Sequence, residues 1–182
     1  MRPEPPPDTD GPDADPESVA RRILLDRLTG EPRSRAELEK ALARKHVPDD
    51  VARPLLDRFT EVGLVDDQAF ARAWVESRQR GKGLARRALA MELRRKGIEP
   101  EVAAQALDDV APEDEARTAR ELVRRKLRSV RDVAEPARTR RLLGMLARKG
   151  YSAGVALDAI REELGADEEW QQSIGEPSQT SL

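Results

Sequence analysis

Three stretches of the chain align without a gap: LARKHVPDDVARPLLDRF from Leu42, LRRKGIEPEVAAQALDDV from Leu93 and LARKGYSAGVALDAIREE from Leu146. They stand 51 and 53 residues apart and share leucine, arginine, lysine, valine and alanine at matched positions. A unit of that size cannot bury a full apolar face alone, so the chain has to stack similar units on one another.

Each stretch describes a helix closed by lysine and then glycine, a bend, and a second helix. Gly97 and Gly150 occupy the place of a left-handed C-cap, and His46 replaces them in the first unit. The lone histidine is therefore read as a cap rather than a ligand or base. The second helix of the pair carries Val102, Ala103, Ala106, Leu107 and Val110 as one apolar stripe, matched by Val51, Leu55, Leu56 and Phe59. Pro54 interrupts that copy and fits only in an opening turn.

A further helix precedes each pair. The first is SVARRILLDRL, ending at Thr29 and Gly30. The second is DDQAFARAWVESRQR, with Asp66 or Asp67 as N-cap and Phe70, Ala73 and Trp74 inward. The third spans about Glu113 to Arg131, with Ala119, Leu122, Val123, Leu127 and Val130 as its stripe. Ser34 and Glu37 form a capping box for the middle helix of the first unit. No segment alternates apolar and polar residues over a strand's length. The expected fold is all-α: three tandem three-helix, helix-turn-helix-like repeats at 18–65, 66–111 and 112–165, stacked into an elongated curved body. The acidic segments 1–17 and 166–182 are expected to be disordered tails.

Composition agrees with thin layers rather than one thick core, since 38% of the 182 residues are hydrophobic, 3% aromatic and 37% charged. The net charge of −2 conceals a separation. Residues 1–19 and 162–182 together hold −11, leaving +9 for the body. A basic body can bind a polyanion or an acidic protein, and the tails can compete for it. The N-terminus has no apolar core and no window resembles a membrane span, so a cytoplasmic protein with no membrane partner is expected.

Little here supports catalysis. With one histidine and no cysteine, only carboxylates remain, and these sit in caps, tails and solvated faces. Asp66, Asp67, Asp108 and Asp109 read as helix ends rather than metal ligands. The Gly81-Lys82-Gly83 sequence is not a nucleotide loop, because Glu76 stands where that pattern needs glycine and Gly83 where it needs a hydroxyl. No enzyme, cofactor or metal is expected.

What remains is a basic run of Arg78, Arg80, Lys82, Arg86, Arg87, Arg94, Arg95 and Lys96, opposed within it only by Glu92. A solvated helix face is the plain reading. Sparse local neutralisation and the excess of arginine over lysine, 27 to 6, favour a contact with phosphate or an acidic surface. Lys82 is placed in a short turn between helices with Gly81 and Gly83 as its structural glycines. Phe70 and Trp74 are read as a buried stripe, with base stacking by Trp74 as the alternative.

The segment GLVDDQAFARAWVESRQRGKGLARRALAMELRRKGI, Gly63 to Ile98, strongly resembles the central repeat of the RecX family, regulators of the bacterial recombinase RecA. The resemblance covers all three repeats, from about Ser18 to Leu164. Leu84 departs from the family's usual proline, and His46 and Pro54 depart from its pattern too. The resemblance implies a regulator that binds RecA and its filament on single-stranded DNA; a monomer is expected. It implies restraint of strand exchange, ATP hydrolysis and coprotease activity towards the LexA repressor, in DNA repair and the SOS response, by lodging in the filament groove. Single- or double-stranded DNA is a further expected partner. The rival reading is a largely sequence-independent DNA-binding protein acting without RecA. A third is a scaffold with no nucleic-acid partner.

Overall fold

The structure, a computed structural model, describes residues 15–175, with side chains as far as Ala166. The described residues form nine helices and no strand: α1 (Pro16–Gly30), α2 (Arg35–Arg44), α3 (Asp49–Glu61), α4 (Asp67–Lys82), α5 (Arg86–Arg95), α6 (Pro100–Asp108), α7 (Pro112–Val130), α8 (Ala137–Arg148) and α9 (Ala153–Gly175). They make three repeats of three helices. α1 starts and α9 ends within the stretches read from sequence as tails. Asp15 accepts from Ser18 N–H and Pro16 takes the first helical position, which is enough to start α1 there. The rest of those tails, 1–14 and 176–182, lies outside the described residues.

Caps set the starts of α2 and α4. Ser34 and Glu37 make the full reciprocal box at α2. At α4 the two aspartates divide the work. Asp66 accepts from Ala69 N–H at 2.9 Å, and Asp67 accepts from Arg35 N–H at 2.8 Å. The buried face of α4 is Phe70, Ala71 and Val75, with Trp74 half-buried; Ala73 is exposed, contrary to the sequence expectation. Pro54 lies in the interior of α3 rather than its opening turn. Both Pro54 and Asp50, whose carbonyl loses its donor, are exposed, so water can supply the missing bond.

The chain forms two compact units. Among the described residues, one holds 15–74 together with 92–106, and the other holds 75–91 together with 107–175, so the middle repeat contributes to both. In the first, Leu24, Leu38, Leu42, Leu56 and Val65 are fully enclosed. In the second, the α7 stripe of Ala119, Leu122, Val123, Leu127 and Val130 packs with Leu142, Leu146, Tyr151 and Ile160.

All three middle helices close by the same geometry. Val47, Ile98 and Tyr151 N–H groups reach back to the carbonyls of Leu42, Leu93 and Leu146, across His46 (φ 57°), Gly97 (φ 74°) and Gly150 (φ 91°). This is a Schellman closure with an apolar residue after the left-handed one, and all three of those residues are buried.

In the second and third repeats the closure also docks onto the middle helix of the preceding repeat. Within the first unit, Ser34 Oγ donates to the Lys96 carbonyl at 2.6 Å, and a Cβ on Gly97 would lie 2.3 Å from Ala36 Cβ. Within the second, Ala85 N–H donates to the Lys149 carbonyl at 2.9 Å, and a Cβ on Gly150 would lie 2.6 Å from Ala88 N. His46 opens the series and is exposed, so a side chain is tolerated there.

Gly150→Ala is therefore expected to destabilise by about 2–4 kcal/mol, combining left-handed strain with a clash against backbone. His46→Gly should leave stability unchanged or raise it by up to about 1 kcal/mol. Urea unfolding followed by circular dichroism measures both, and equal effects at the two positions would contradict the docking account.

Candidate functional site

The second unit pins the segment that links α4 to α5. Gly81 and Lys82 are still helical, so the turn is Gly83 to Ala85 rather than a loop centred on Lys82. Gly83 (φ 59°) places its carbonyl to accept from the buried Tyr151 hydroxyl at 3.1 Å. Burial, with lesser help from Glu115 and Glu121, pushes that phenol above its ordinary range, so it stays a donor. Lys149 Nζ donates to the Lys82 carbonyl. The third repeat thus fixes this turn by two side chains and one backbone bond.

The same arrangement gathers positive charge. The Lys149 ammonium is held below its ordinary range, first by burial and then by Arg125 and Lys82 nearby. No carboxylate pairs with Lys82, Arg125 or Lys149 among the described residues. Lys82 and Arg125 thus add to the positive charge at Lys149, and none of the three is held in an ion pair.

The eight basic residues picked from the sequence separate into two kinds. Arg86 and Lys96 serve the fold. Arg86 donates from Nη1 to the Leu107 carbonyl at 2.8 Å and pairs with Asp108 at 3.0 Å, closing the C-terminus of α6. Lys96 pairs with Glu37 at 2.6 Å and lies 4.3 Å from the centre of the Trp74 ring. Trp74 stacks on Phe70 at 5.7 Å and donates its indole N–H to Glu92 at 2.9 Å, which ties it into the first unit. Arg80 pairs with Glu76, and Arg95 lies 3.9 Å from Glu92; both are largely exposed. Arg78 is half-buried. Lys82, Arg87 and Arg94 are exposed and have no ion pair among the described residues. Of the eight, Arg78, Arg80, Lys82, Arg86 and Arg87 belong to the second unit and Arg94, Arg95 and Lys96 to the first.

One cationic feature escaped the sequence reading. A groove of ≈ 590 Å³ in the second unit runs from the end of α4 along α7, lined by Arg80, Arg117, Arg124, Arg125 and Arg128 against Asp114 and Glu121. Arg117 pairs with Asp114. Arg124 makes a two-bond contact with Glu163, at 2.9 and 2.8 Å. The signal was present in the sequence, because Arg117, Arg124 and Arg128 recur at helical spacing opposite the α7 apolar stripe.

Comparison with known proteins agrees with this architecture. Family descriptions for the first, second and third three-helix domains of RecX match residues 20–59, 66–107 and 113–160. The regulatory protein RecX of Thermobifida fusca is 54% identical over 148 residues, covering 81% of this chain and 80% of its own. That of Streptomyces coelicolor is 50% identical over 165 residues, covering 91% and 88%. A crystal structure of RecX from Lactobacillus salivarius superposes with a TM-score of 0.74 at 19% identity, covering 82% of this chain and 97% of that one, a likeness of fold. A second crystal structure of regulatory protein RecX gives 0.73 at 27% identity, covering 82% and 73%. With all three domains matched in order and half of the residues shared with relatives over most of its length, the chain belongs to the RecX family of regulatory proteins.

Proposed function

We propose that the protein restrains the recombinase RecA by binding its filament on single-stranded DNA, lodging in the filament groove as a monomer and obstructing protomer addition and access of duplex DNA or repressor. The chain-wide match to a family of regulatory proteins carries this reading. Lys82, Arg125 and Lys149 support it, because cations that no ion pair engages are available to phosphate or to an acidic protein surface. No bond is made or broken in this activity. Occupying the filament is sufficient, and no helix among the described residues is long and apolar enough to cross a membrane.

Lys82, Arg87 and Arg94 are the contacts we assign within the middle repeat, since their charges are not used by the fold. Arg86 and Lys96 act there as structural residues. Arg86→Ala should lower stability by about 1–2 kcal/mol through loss of a charged bond to a helix-end carbonyl. Lys82→Ala and Arg87→Ala should stay within about 0.5 kcal/mol of the parent. Thermal melts of the three variants check this division.

The function is tested by the single-stranded-DNA-dependent ATPase of the cognate RecA. The parent protein should inhibit at substoichiometric ratios. The Lys82→Ala/Arg87→Ala variant should need about tenfold more protein, equivalent to roughly 1.4 kcal/mol of lost contact. No inhibition by the folded parent would sink the proposal.

A further inference from the structure

A groove of ≈ 490 Å³ in the first repeat carries the opposite charge from the surfaces described so far. It runs along α3 against Glu17 of α1, and its lining joins the apolar Val51, Pro54 and Leu55 to Asp50, Asp57, Glu61 and a single cation, Arg58. Asp50, Pro54, Asp57 and Glu61 stand at i, i+4, i+7 and i+11, so one face of α3 presents the proline among carboxylates.

These carboxylates are unequally engaged. Asp57 pairs with Arg35 at 2.6 Å, the first-repeat counterpart of the Arg86 and Asp108 pair, so its charge belongs to the fold. Glu17 pairs with Arg21 at 2.6 Å and lies 3.9 Å from Arg58. Asp50 and Glu61 hold no ion pair among the described residues. Pro54 adds another acceptor, because it leaves the Asp50 carbonyl without its helical donor. The unengaged carboxylates stand about 16 Å apart along α3. A ligand that satisfies them has to bring positive charge at two points and N–H donors between.

Phosphate is repelled here, and no group of three His, Asp or Glu among the described residues is placed to hold a metal ion. Solvated carboxylates alone would suit the outer face of a terminal repeat. Immediately after Glu61, however, the turn to α4 leaves Val62 65% exposed and Leu64 50% exposed, two of the five large hydrophobic residues open among those described. Carboxylates beside open apolar side chains suit a protein partner rather than a small polycation. The space also selects the partner's form. A helix about 10 Å across and 16 Å long displaces roughly 1,200 Å³, more than the groove provides, whereas an extended segment covers that length in about five residues.

We propose that the α3 groove docks a short extended segment of a protein partner, with two basic residues about five positions apart that reach Asp50 and Glu61. Apolar residues between them lie on Val51, Pro54 and Leu55, and those beyond the second cover the Val62 to Leu64 turn. The inference goes beyond the recombinase reading, which uses cations elsewhere in the chain, and it stands independently of it.

The test titrates the full chain into a fluorescein-labelled peptide that reads arginine, valine, alanine, leucine, valine, arginine and then two leucines, followed by anisotropy. One control peptide replaces both arginines by glutamate and another replaces every apolar residue by serine. The parent should bind the first peptide at least about tenfold more tightly than either control, and Asp50→Asn/Glu61→Gln should weaken it about tenfold. Pro54→Ala gives the Asp50 carbonyl its donor back, so it should raise the melting temperature while weakening the peptide about threefold. Weaker binding by a better folded protein cannot come from misfolding. Failure of the parent to bind the arginine peptide would overturn the inference, as would unchanged affinity in Asp50→Asn/Glu61→Gln. Equal binding of the serine control would overturn it too, by leaving only an acidic surface. A parent that binds the peptide yet leaves the recombinase ATPase unaffected supports the inference and sinks the proposed function, and one that inhibits the ATPase but ignores the peptide does the reverse.

Discussion

The structure depends on one repeated joint, in which the left-handed residue ending a middle helix presses on the first turn of the middle helix one repeat earlier. Each joint has the same two parts. A lysine carbonyl receives a donor from the N-terminal region of the earlier helix, and a glycine brings the backbones closer than any Cβ would allow. The donor is the Ser34 hydroxyl in one case and the Ala85 amide in the other. Positions 34 and 85 are equivalent within the repeat, so the same carbonyl is satisfied by two different groups. The geometry of the joint is therefore stricter than its chemistry. This also accounts for the buried serine, whose hydroxyl caps its own helix and binds the next repeat at once.

Thin repeats of this kind cannot rely on large aromatic side chains. Leucine supplies most of the fully enclosed volume in both units; Tyr151 joins the second core while its hydroxyl reaches the Gly83 carbonyl, and buried Phe70 stacks on half-buried Trp74. The exposed surface is then left to charge. Many of the ion pairs are local, at spacings of three or four residues, and contribute little to stability. They neutralise part of the arginine set, while others, Arg87, Arg94, Arg125 and Arg128 among them, carry no ion pair among the described residues.

Much of the fold was legible because it is written locally. The capping box, the left-handed closures and the five-residue stripe of α7 each occupy a short window, and each is present as read. The misreadings have equally local causes. The buried face of α4 follows the i, i+1, i+4, i+5 pattern of Phe70, Ala71, Trp74 and Val75, the same pattern shown by Val102, Ala103, Ala106 and Leu107. Reading α4 with a different spacing put Ala73 inside. Pro54 falls on the exposed side of α3, where the core residues Ala52, Leu55, Leu56 and Phe59 are undisturbed, so packing overrides its local preference.

The functional surface was less legible, and the reason is the distance over which charges are answered. Nothing near Lys96 in sequence reveals that Glu37 will neutralise it from 59 residues away, or near Arg86 that it will bind the Leu107 carbonyl. Conversely, nothing local shows that Lys149 will be brought under the charges of Lys82 and Arg125 without an ion pair of its own. A basic run in sequence counts cations, whereas a binding surface consists of the cations that tertiary contacts leave unanswered. In this chain those two sets overlap only in part. The joint that answers Lys96 with a glutamate gives its counterpart Lys149 only a carbonyl and two like charges, so one repeated lysine is structural in the first unit and becomes part of a potential anion site in the second.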